Sequence, residues 1–334
     1  MANQWRVRGE LFDIDQTNKE KKGSLVPLTI EEHQNLGLDV MVAAEVNGRR
    51  NGDDRSTFTH PEDAYEPCPE ALMASPEGTL VALENWSESS IYPETRRNIW
   101  CYRPLDWDAS KPGRVVICND GRAYVDDAGP VRVPRVLDSL HASGELSNVA
   151  AIFVNPGDTD QMPPRSPIAS YGLREAQRSW EYDRLSRDYG DFLVREMLPL
   201  LSATLDVELS SLPENRVVCG ISSGGIAAFS AAWFQPDQFA RVISHCGSYT
   251  NILGGHNYPF MVQTTPRKPI RVYIQSGEHD VHSPFGHWPS ANQAMARALE
   301  YAGYDVNFEF GTGGHTLRHG GARFAETLRW IFRD

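Results

Sequence analysis

The sequence has 334 residues, and its 32 Lys and Arg against 44 Asp and Glu give a formal net charge of −12. An acidic chain without a basic cluster is not expected to bind nucleic acid or an anionic membrane surface. The start of the chain lacks an apolar signal segment, and no run of about 18 apolar residues occurs. Five Cys without a CxxC pair indicate reduced thiols and no structural zinc site. We therefore expect a soluble, cytoplasmic protein.

Residues 1–75 differ in composition from the rest of the chain, because they are polar and rich in Asn, Asp, Glu and Pro. We predict that they form an N-terminal extension. It is either irregular structure packed on the main domain or a cap that shapes a substrate site. Residues 76–334 are predicted to form a single catalytic domain.

From about residue 78 onward, strand-like and helix-like segments alternate. The strand-like segments are VALENW, RRNIWCYRP, GRVVICNDG, VAAIFVNPG, RVVCG, ARVISHCGS, IRVYIQSG and VNFEFG. The helix-like segments are VRVPRVLDSLHASGEL, SRDYGDFLVREMLPLL, GGIAAFSAAWF, SANQAMARALEYAG and GGARFAETLRWIFRD. Apolar strands that alternate with helices are typical of a mostly parallel sheet covered on both faces, and the first two strands are predicted to pair antiparallel. The pattern predicts a three-layer α/β fold.

The stretch RVVCGISSGG carries the pattern G-x-S-x-G at residues 220–224, between a buried strand and a helix of small residues. A nucleophile elbow needs this context, because a sharp turn exposes its serine only when the neighbouring residues are small. Ser222 is then the predicted nucleophile, and the backbone amide of Ser223 is a predicted oxyanion donor. A glycine-rich packing turn is the alternative interpretation of the pattern.

A serine nucleophile needs a base and an orienting carboxylate, which follow it in the chain order Ser, Asp or Glu, His in this type of fold. Asp280 follows the strand IRVYIQSG, and His315 follows the strand VNFEFG and two glycines. We predict Asp280 as the acid and His315 as the base. Glu278 is the alternative acid and His319 is the alternative base.

Two further loops carry candidate site residues. The turn at residues 120–122 follows the first buried strand, so the backbone amide of Arg122 is the predicted second oxyanion donor, although a plain β-turn fits equally well. The segment GEHDVHSPFGHW is rich in histidine but lacks helical metal-ligand spacing. We interpret its histidines as solvated or substrate-facing and expect no metal and no cofactor.

From about residue 78 to the C-terminus the chain resembles the putative-esterase family of α/β hydrolases. This family includes enterochelin esterases, feruloyl esterases, S-formylglutathione hydrolase and the mycobacterial antigen 85 acyltransferases. The segments that carry the resemblance are AIFVNPG, RSWEYDRLSRDYGDFLVREMLP, VVCGISSGG, FQPDQFARVISHCGSY and SANQAMARALEYAGYDVNFEFGTGGHTLRHGG. The chain departs from the family at Cys246, where a serine is common, and in residues 1–75, which match no family module.

The resemblance implies the α/β-hydrolase fold, the roles assigned above to Ser222, Asp280 and His315, and the turn at residues 120–122 as the oxyanion loop. It also implies that Arg178 and Glu181 lie near the site entrance. Together with Trp288 and His319, these two residues complete the predicted substrate-binding set.

The predicted function is a serine carboxylic-ester hydrolase that forms an acyl-enzyme on a small-molecule ester. The ester is a siderophore, hydroxycinnamoyl, lactone or other secondary-metabolite ester. An acyltransferase with the same intermediate, or a non-catalytic binding protein on this scaffold, are the alternatives. The sequence leaves the oligomeric state open, a homo-oligomer included.

Overall fold

The computed structural model describes residues 65–73, 78–158, 173–283 and 285–334, together with two short strands near the N-terminus. The chain divides into two compact units, residues 1–39 and 40–334. In the first unit, β1 (Trp5–Val7) and β2 (Glu10–Phe12) pair antiparallel. Most of residues 1–75 lie outside the described part of the chain, so the predicted extension and its boundary at residue 75 stay predictions.

The second unit is built on an eight-stranded sheet. Its strands are β3 (Thr79–Trp86), β4 (Arg97–Arg103), β5 (Arg114–Asn119), β6 (Val149–Val154), β7 (Arg216–Ile221), β8 (Arg241–His245), β9 (Arg271–His279) and β12 (Asp305–Gly314). Their order is β12-β9-β8-β7-β5-β6-β4-β3, and β3 pairs antiparallel with β4, as does β4 with β6. All the other pairings in this sheet are parallel. The predicted mostly parallel sheet with an antiparallel first pair is confirmed.

Helices cover both faces of this sheet. They are α1 (Pro69–Met73), α2 (Gly121–Val125), α3 (Val133–Ala142), α4 (Leu173–Tyr182), α5 (Asp188–Phe192), α6 (Leu198–Leu205), α7 (Ser223–Phe234), α8 (Tyr258–Thr264), α9 (Trp288–Tyr301), α10 (Arg318–Ala322) and α11 (Phe324–Ile331). A short hairpin, β10 (His282–Ser283) and β11 (Gly286–His287), precedes α9. No helix in the described ranges is both long and apolar enough to cross a membrane.

Two hydrophobic cores lie on opposite faces of the sheet because successive strand side chains point in opposite directions. In β5, Val115 and Ile117 belong to the core that includes residues of α5 to α9, whereas Val116 and Cys118 belong to the core that includes residues of α1, α3 and α11. Strands buried on both faces, such as β5 and β6, therefore appear in the sequence as mostly apolar runs. The result is the predicted three-layer arrangement.

The segment SRDYGDFLVREMLPLL forms the predicted helix, but with an irregularity in its middle. A π-helical turn at Leu193–Met197 joins α5 to α6, and Pro199 follows in the first turn of α6. Proline has no amide hydrogen to donate to the carbonyl four residues earlier, and its ring crowds that carbonyl. The wider π turn accommodates this.

Candidate active site

Ser222 occupies the sharp turn between β7 and α7. Its backbone has φ 59° and ψ −122°, a strained conformation for a residue with a side chain. The two flanking positions require glycine because other atoms of the protein lie close to them. A Cβ on Gly220 would lie 2.2 Å from the carbonyl oxygen of Gly224, and a Cβ on Gly224 would lie 2.8 Å from Oδ2 of Asp120. The spacing of the G-x-S-x-G pattern thus has a direct steric cause.

Backbone hydrogen bonds hold this turn in place. The Ser222 amide donates to the His245 carbonyl at 2.9 Å, and the Ser222 carbonyl accepts the amide of Ser248 at 3.1 Å. The Ser222 side chain is half-buried, and its Oγ lies 3.2 Å from Oγ of Ser248. Ser223 begins the twelve-residue helix α7, so its amide belongs to the positive end of the helix dipole.

Asp280 and His315 are joined by a short hydrogen bond. Nδ1 of His315 lies 2.5 Å from Oδ1 of Asp280, and the two side chains are 9% and 0% exposed. Asp280 also accepts the Val281 amide at 2.7 Å and the Ser276 hydroxyl at 2.9 Å. Burial opposes ionisation of this carboxyl, but His315 and the other donors outweigh it and hold the pKa of Asp280 below its usual value.

Two strand ends bring this pair together. Asp280 directly follows β9, and His315 directly follows β12, its parallel neighbour. The register of the pair shifts between Gly311 and Gly314. At this irregularity a Cβ on Gly277 would lie 2.0 Å from the carbonyl oxygen of Gly313. Gly277 is therefore required for the close approach of the two backbones beside the site.

The rival acid and base occupy other surroundings. The side chain of Glu278 is exposed, whereas Asp280 is buried. His319 is 3% exposed. Its Nδ1 lies 3.2 Å from Nε2 of Gln275, and its Nε2 lies 3.4 Å from a carboxylate oxygen of Glu309. The geometry thus favours the Asp280–His315 pair over the alternatives.

Trp288 lies against the imidazole of His315. The two ring centroids are 5.9 Å apart and nearly perpendicular, and Trp288 is 2% exposed. The Trp288 amide donates to the Val281 carbonyl at 2.9 Å, which fixes α9 to the loop that carries Asp280. Trp288 is thus almost fully buried against the imidazole of His315, and its role as a substrate contact stays a prediction.

Cys246 completes the surroundings of Asp280 and His315. This residue follows β8 with φ 47°, and its Sγ lies 3.8 Å from the Gly314 carbonyl oxygen and 3.9 Å from that of Thr316. Burial, followed by the negative charge of Asp280, raises the pKa of the thiol well above its usual value. In the sequence, Cys246 stood out only as a departure from the family pattern. No feature of the neighbouring residues predicted that it lies beside Asp280.

The turn at residues 120–122 lies beside the elbow. Asp120 has φ 53° and forms a two-point ion pair with Arg178 at 2.8 and 2.7 Å. Arg178 also approaches the Ile221 carbonyl at 3.4 Å, so it links this turn to the elbow. The Arg122 amide donates to Oδ1 of Asn155 at 3.0 Å. An oxyanion bound by that amide would therefore replace the Asn155 oxygen.

Glu181 lies below the surface. Its carboxylate forms a two-point ion pair with Arg97, at 2.8 and 3.0 Å, and both side chains are fully buried. Glu181 also accepts the Gly157 amide at 3.2 Å and the Gln177 side chain at 2.9 Å. Glu181 and His319 are both buried in this structure, and their role as substrate contacts stays a prediction.

Sequence reasoning missed Asp183, a fully buried carboxyl near the elbow. Neither of its oxygens has a hydrogen-bond partner among the described residues. Burial raises its pKa to about 6, although nearby Arg178, Ser179 and Ser223 act in the opposite direction. Asp183 closes the RSWEYD segment, but nothing in that segment shows that its side chain turns inward.

Comparison with known proteins supports the same assignment of fold. The Iron(III) enterobactin esterase of Dickeya dadantii is 22% identical over 288 residues, which cover 81% of this chain and 59% of that protein. The enterobactin esterase of Shigella flexneri superposes with a TM-score of 0.60 at 18% identity, covering 81% of this chain and 61% of that one. The chain thus spans about 60% of the length of these relatives.

Shorter proteins match over nearly their whole length. A ferulic acid esterase has a TM-score of 0.58 at 16% identity and covers 77% of this chain and 98% of its own. S-formylglutathione hydrolase of Staphylococcus aureus has a TM-score of 0.52 at 14% identity, and the match covers 78% of this chain and 98% of that protein. The fold is therefore that of the α/β hydrolases, as predicted. The sequence model described as "Putative esterase" matches residues 90–331, and the chain belongs to that family.

Proposed function

We propose that this chain is a serine carboxylic-ester hydrolase that works through an acyl-enzyme. The observation that carries the proposal is the 2.5 Å bond between Asp280 and His315. These two residues follow β9 and β12, which lie in the same sheet as β7, the strand that leads into the turn bearing Ser222. Asp280 accepts the Nδ1 proton, so the neutral imidazole keeps Nε2 as a proton acceptor. His315 then takes the proton of Ser222 as the serine attacks the ester carbonyl, and returns it to the leaving alcohol.

The negative charge on the attacked carbonyl oxygen needs hydrogen-bond donors. We assign the backbone amides of Ser223 and Arg122 to this role. The first lies at the start of α7, and the second becomes free when the oxyanion replaces Oδ1 of Asn155. Removing one such donor from a serine hydrolase costs about 2.7–4 kcal/mol of transition-state stabilisation.

The family and its relatives support the proposed substrate class. Proteins named enterobactin esterase, ferulic acid esterase and S-formylglutathione hydrolase share this fold, and each name refers to a small molecule. We propose a small-molecule ester of the siderophore, hydroxycinnamoyl, lactone or secondary-metabolite type. Water is the proposed acceptor of the acyl group. Product analysis with and without an added alcohol separates hydrolysis from acyl transfer.

The test is hydrolysis of an aryl ester combined with fluorophosphonate labelling. Ser222→Ala is expected to abolish both, because the attacking oxygen is lost. Ser223→Ala should keep most of the activity, since only its backbone amide takes part. His315→Ala should lose turnover and labelling, whereas His319→Ala should retain labelling. Labelling that survives in Ser222→Ala, or depends on His319 rather than His315, contradicts the proposal.

A further inference from the structure

Three neighbouring strand ends bring a thiol, a carboxylate and an imidazole together. Cys246 follows β8, Asp280 follows β9 and His315 follows β12. One ligand atom from each of these side chains lies within 4.8 Å of the other two. Among the residues that the structure describes, no other trio of Cys, His, Asp or Glu has its ligand atoms this close together.

We infer that these three residues, here called the soft-metal site, bind a thiophilic divalent cation such as Zn²⁺ or Cd²⁺, and that the bound ion inactivates the enzyme. The statement that the ion inactivates the enzyme rests on the proposed function, whereas the statement that the ion binds does not. A thiolate, an imidazole and a carboxylate form a ligand set suited to Zn²⁺, with a fourth position left for water. Mg²⁺ and Ca²⁺ prefer six or more oxygen ligands and are not expected to bind.

The geometry needs only small movements to hold such an ion. Zinc bonds of roughly 2.0–2.3 Å in a tetrahedron place ligand atoms roughly 3.3–3.7 Å apart. The Asp280 and His315 atoms, now 2.5 Å apart, must separate by about 1 Å to meet that spacing. The thiol of Cys246 must approach by a comparable distance. Its nearest carbonyl oxygens are 3.8 and 3.9 Å away, so only weak contacts hold it.

Binding would change the protonation of His315 in a defined way. The ion forms bonds to Sγ of Cys246, to a carboxylate oxygen of Asp280 and to Nδ1 of His315. The thiol releases one proton to solvent, and the proton of Nδ1 moves through solvent to Nε2, so the imidazole stays neutral. Nε2 then carries a hydrogen and cannot accept the proton of Ser222. Inhibition follows from this change of tautomer even when the substrate site stays open.

Two costs oppose occupancy of the site. The ion must displace the short bond between Asp280 and His315, and it must ionise a thiol that is fully buried. Both costs make binding reversible and set this site apart from a structural zinc site with preformed ligands. The cation is therefore an inhibitor and not a resident cofactor.

Direct binding is measured on the Ser222→Ala protein, so that the result does not depend on ester hydrolysis. Cd²⁺ titration is followed by the ultraviolet thiolate-to-cadmium absorption band and by equilibrium dialysis. We expect one Cd²⁺ per chain with the band present, and loss of both when Cys246→Ser is added. Cys101→Ala, a buried thiol on β4, is the matched control and should keep the band. A band of equal intensity without Cys246, or no band in any variant, overturns the inference.

Inhibition is measured as the rate of fluorophosphonate labelling with and without Zn²⁺, and each variant is compared with its own metal-free rate. Zn²⁺ should slow labelling of the wild type, and EDTA should restore the rate. Cys246→Ser should need a Zn²⁺ concentration at least about tenfold higher for the same slowing. Cys246→Ala provides a second variant if the serine disturbs folding, which circular dichroism reports. Equal Zn²⁺ sensitivity in all three proteins refutes the role of Cys246. Absence of labelling in metal-free wild type contradicts the proposed function but leaves Cd²⁺ binding as evidence for the site.

Discussion

Asp280 and Asp183 are buried carboxyls near the turn that bears Ser222, and their surroundings differ sharply. Asp280 accepts hydrogen bonds from His315, Val281 and Ser276. Asp183 accepts none from the described residues. The pKa of Asp280 lies below its usual value, whereas burial raises the pKa of Asp183 to about 6. Burial acts in the same direction on both, so the hydrogen-bond donors around Asp280, His315 included, decide the sign of the shift.

The two carboxyls therefore suit different tasks. Asp280 stays ionised across the neutral range, as its proposed role of orienting His315 and stabilising the imidazolium requires. Asp183 changes charge near pH 6, and neither of its oxygens accepts a hydrogen bond from the described residues. Its position beside Ser223 and Arg178 makes it part of the support of the elbow, with no contact to the reacting atoms.

The largest expected effect is at Asp280. Asp280→Asn should lower kcat for an aryl ester by about 10⁴, because an amide cannot hold His315 in the reactive tautomer. Glu278→Gln, two residues earlier at the end of β9, is the matched control, and the exposure of this side chain should make the loss far smaller. Steady-state kinetics of both variants give the answer. Similar small losses for the two would mean that neither residue orients the base.

The next effect is on stability and concerns Asp183. A carboxyl with a raised pKa binds more protons in the folded state, so its contribution to stability is present below its ordinary pKa and is lost as pH rises through about 6. The shift from 3.8 to about 6 corresponds to about 3 kcal/mol of unfolding free energy. Asp183→Asn should remove this pH-dependent loss of stability, because an amide does not ionise.

Urea unfolding of the wild type and of Asp183→Asn at several pH values between 4 and 8 tests the prediction. The difference in unfolding free energy should grow in favour of the variant as pH rises. Asp280 acts in the opposite direction, since a carboxyl with a lowered pKa stabilises the fold above its ordinary pKa and this stabilisation is lost as the pH falls. Parallel curves for the two proteins would show that Asp183 does not titrate differently on folding.

Local sequence patterns were enough to predict the sheet and much of the candidate site. In β5 the run of apolar residues reflects burial on both faces, with Val115 and Val116 in different cores. The elbow glycines could be recognised because their spacing has a steric cause that any such turn shares. The adjacency of Asp280 and His315 could be predicted because parallel strands end at the same edge of a sheet.

Contacts between distant segments could not be predicted in this way. Arg97 and Glu181 are 84 residues apart in the chain, and no local feature shows that they pair in the interior. Cys246 lies beside Asp280 only because β8 and β9 are neighbours in register. Asp183 was missed for a similar reason, since a carboxylate in a polar segment is expected to face solvent. Long-range packing decides each of these cases.

The smallest expected effect concerns Ser223, whose nearby side chain lowers the pKa of Asp183 while burial raises it, although its hydroxyl does not reach hydrogen-bond distance of that carboxyl in this structure. Ser223→Ala removes this hydroxyl and keeps the backbone amide. The pKa of Asp183 should rise further, and the unfolding free energy at pH 8 should fall by about 1 kcal/mol. Urea unfolding of the single variants and of the double variant with Asp183→Asn measures the coupling. The serine substitution should matter less once Asp183 is an amide, because no buried charge then needs the hydroxyl. An undiminished effect in the double variant would assign the loss to packing at the start of α7 and would separate Ser223 from Asp183.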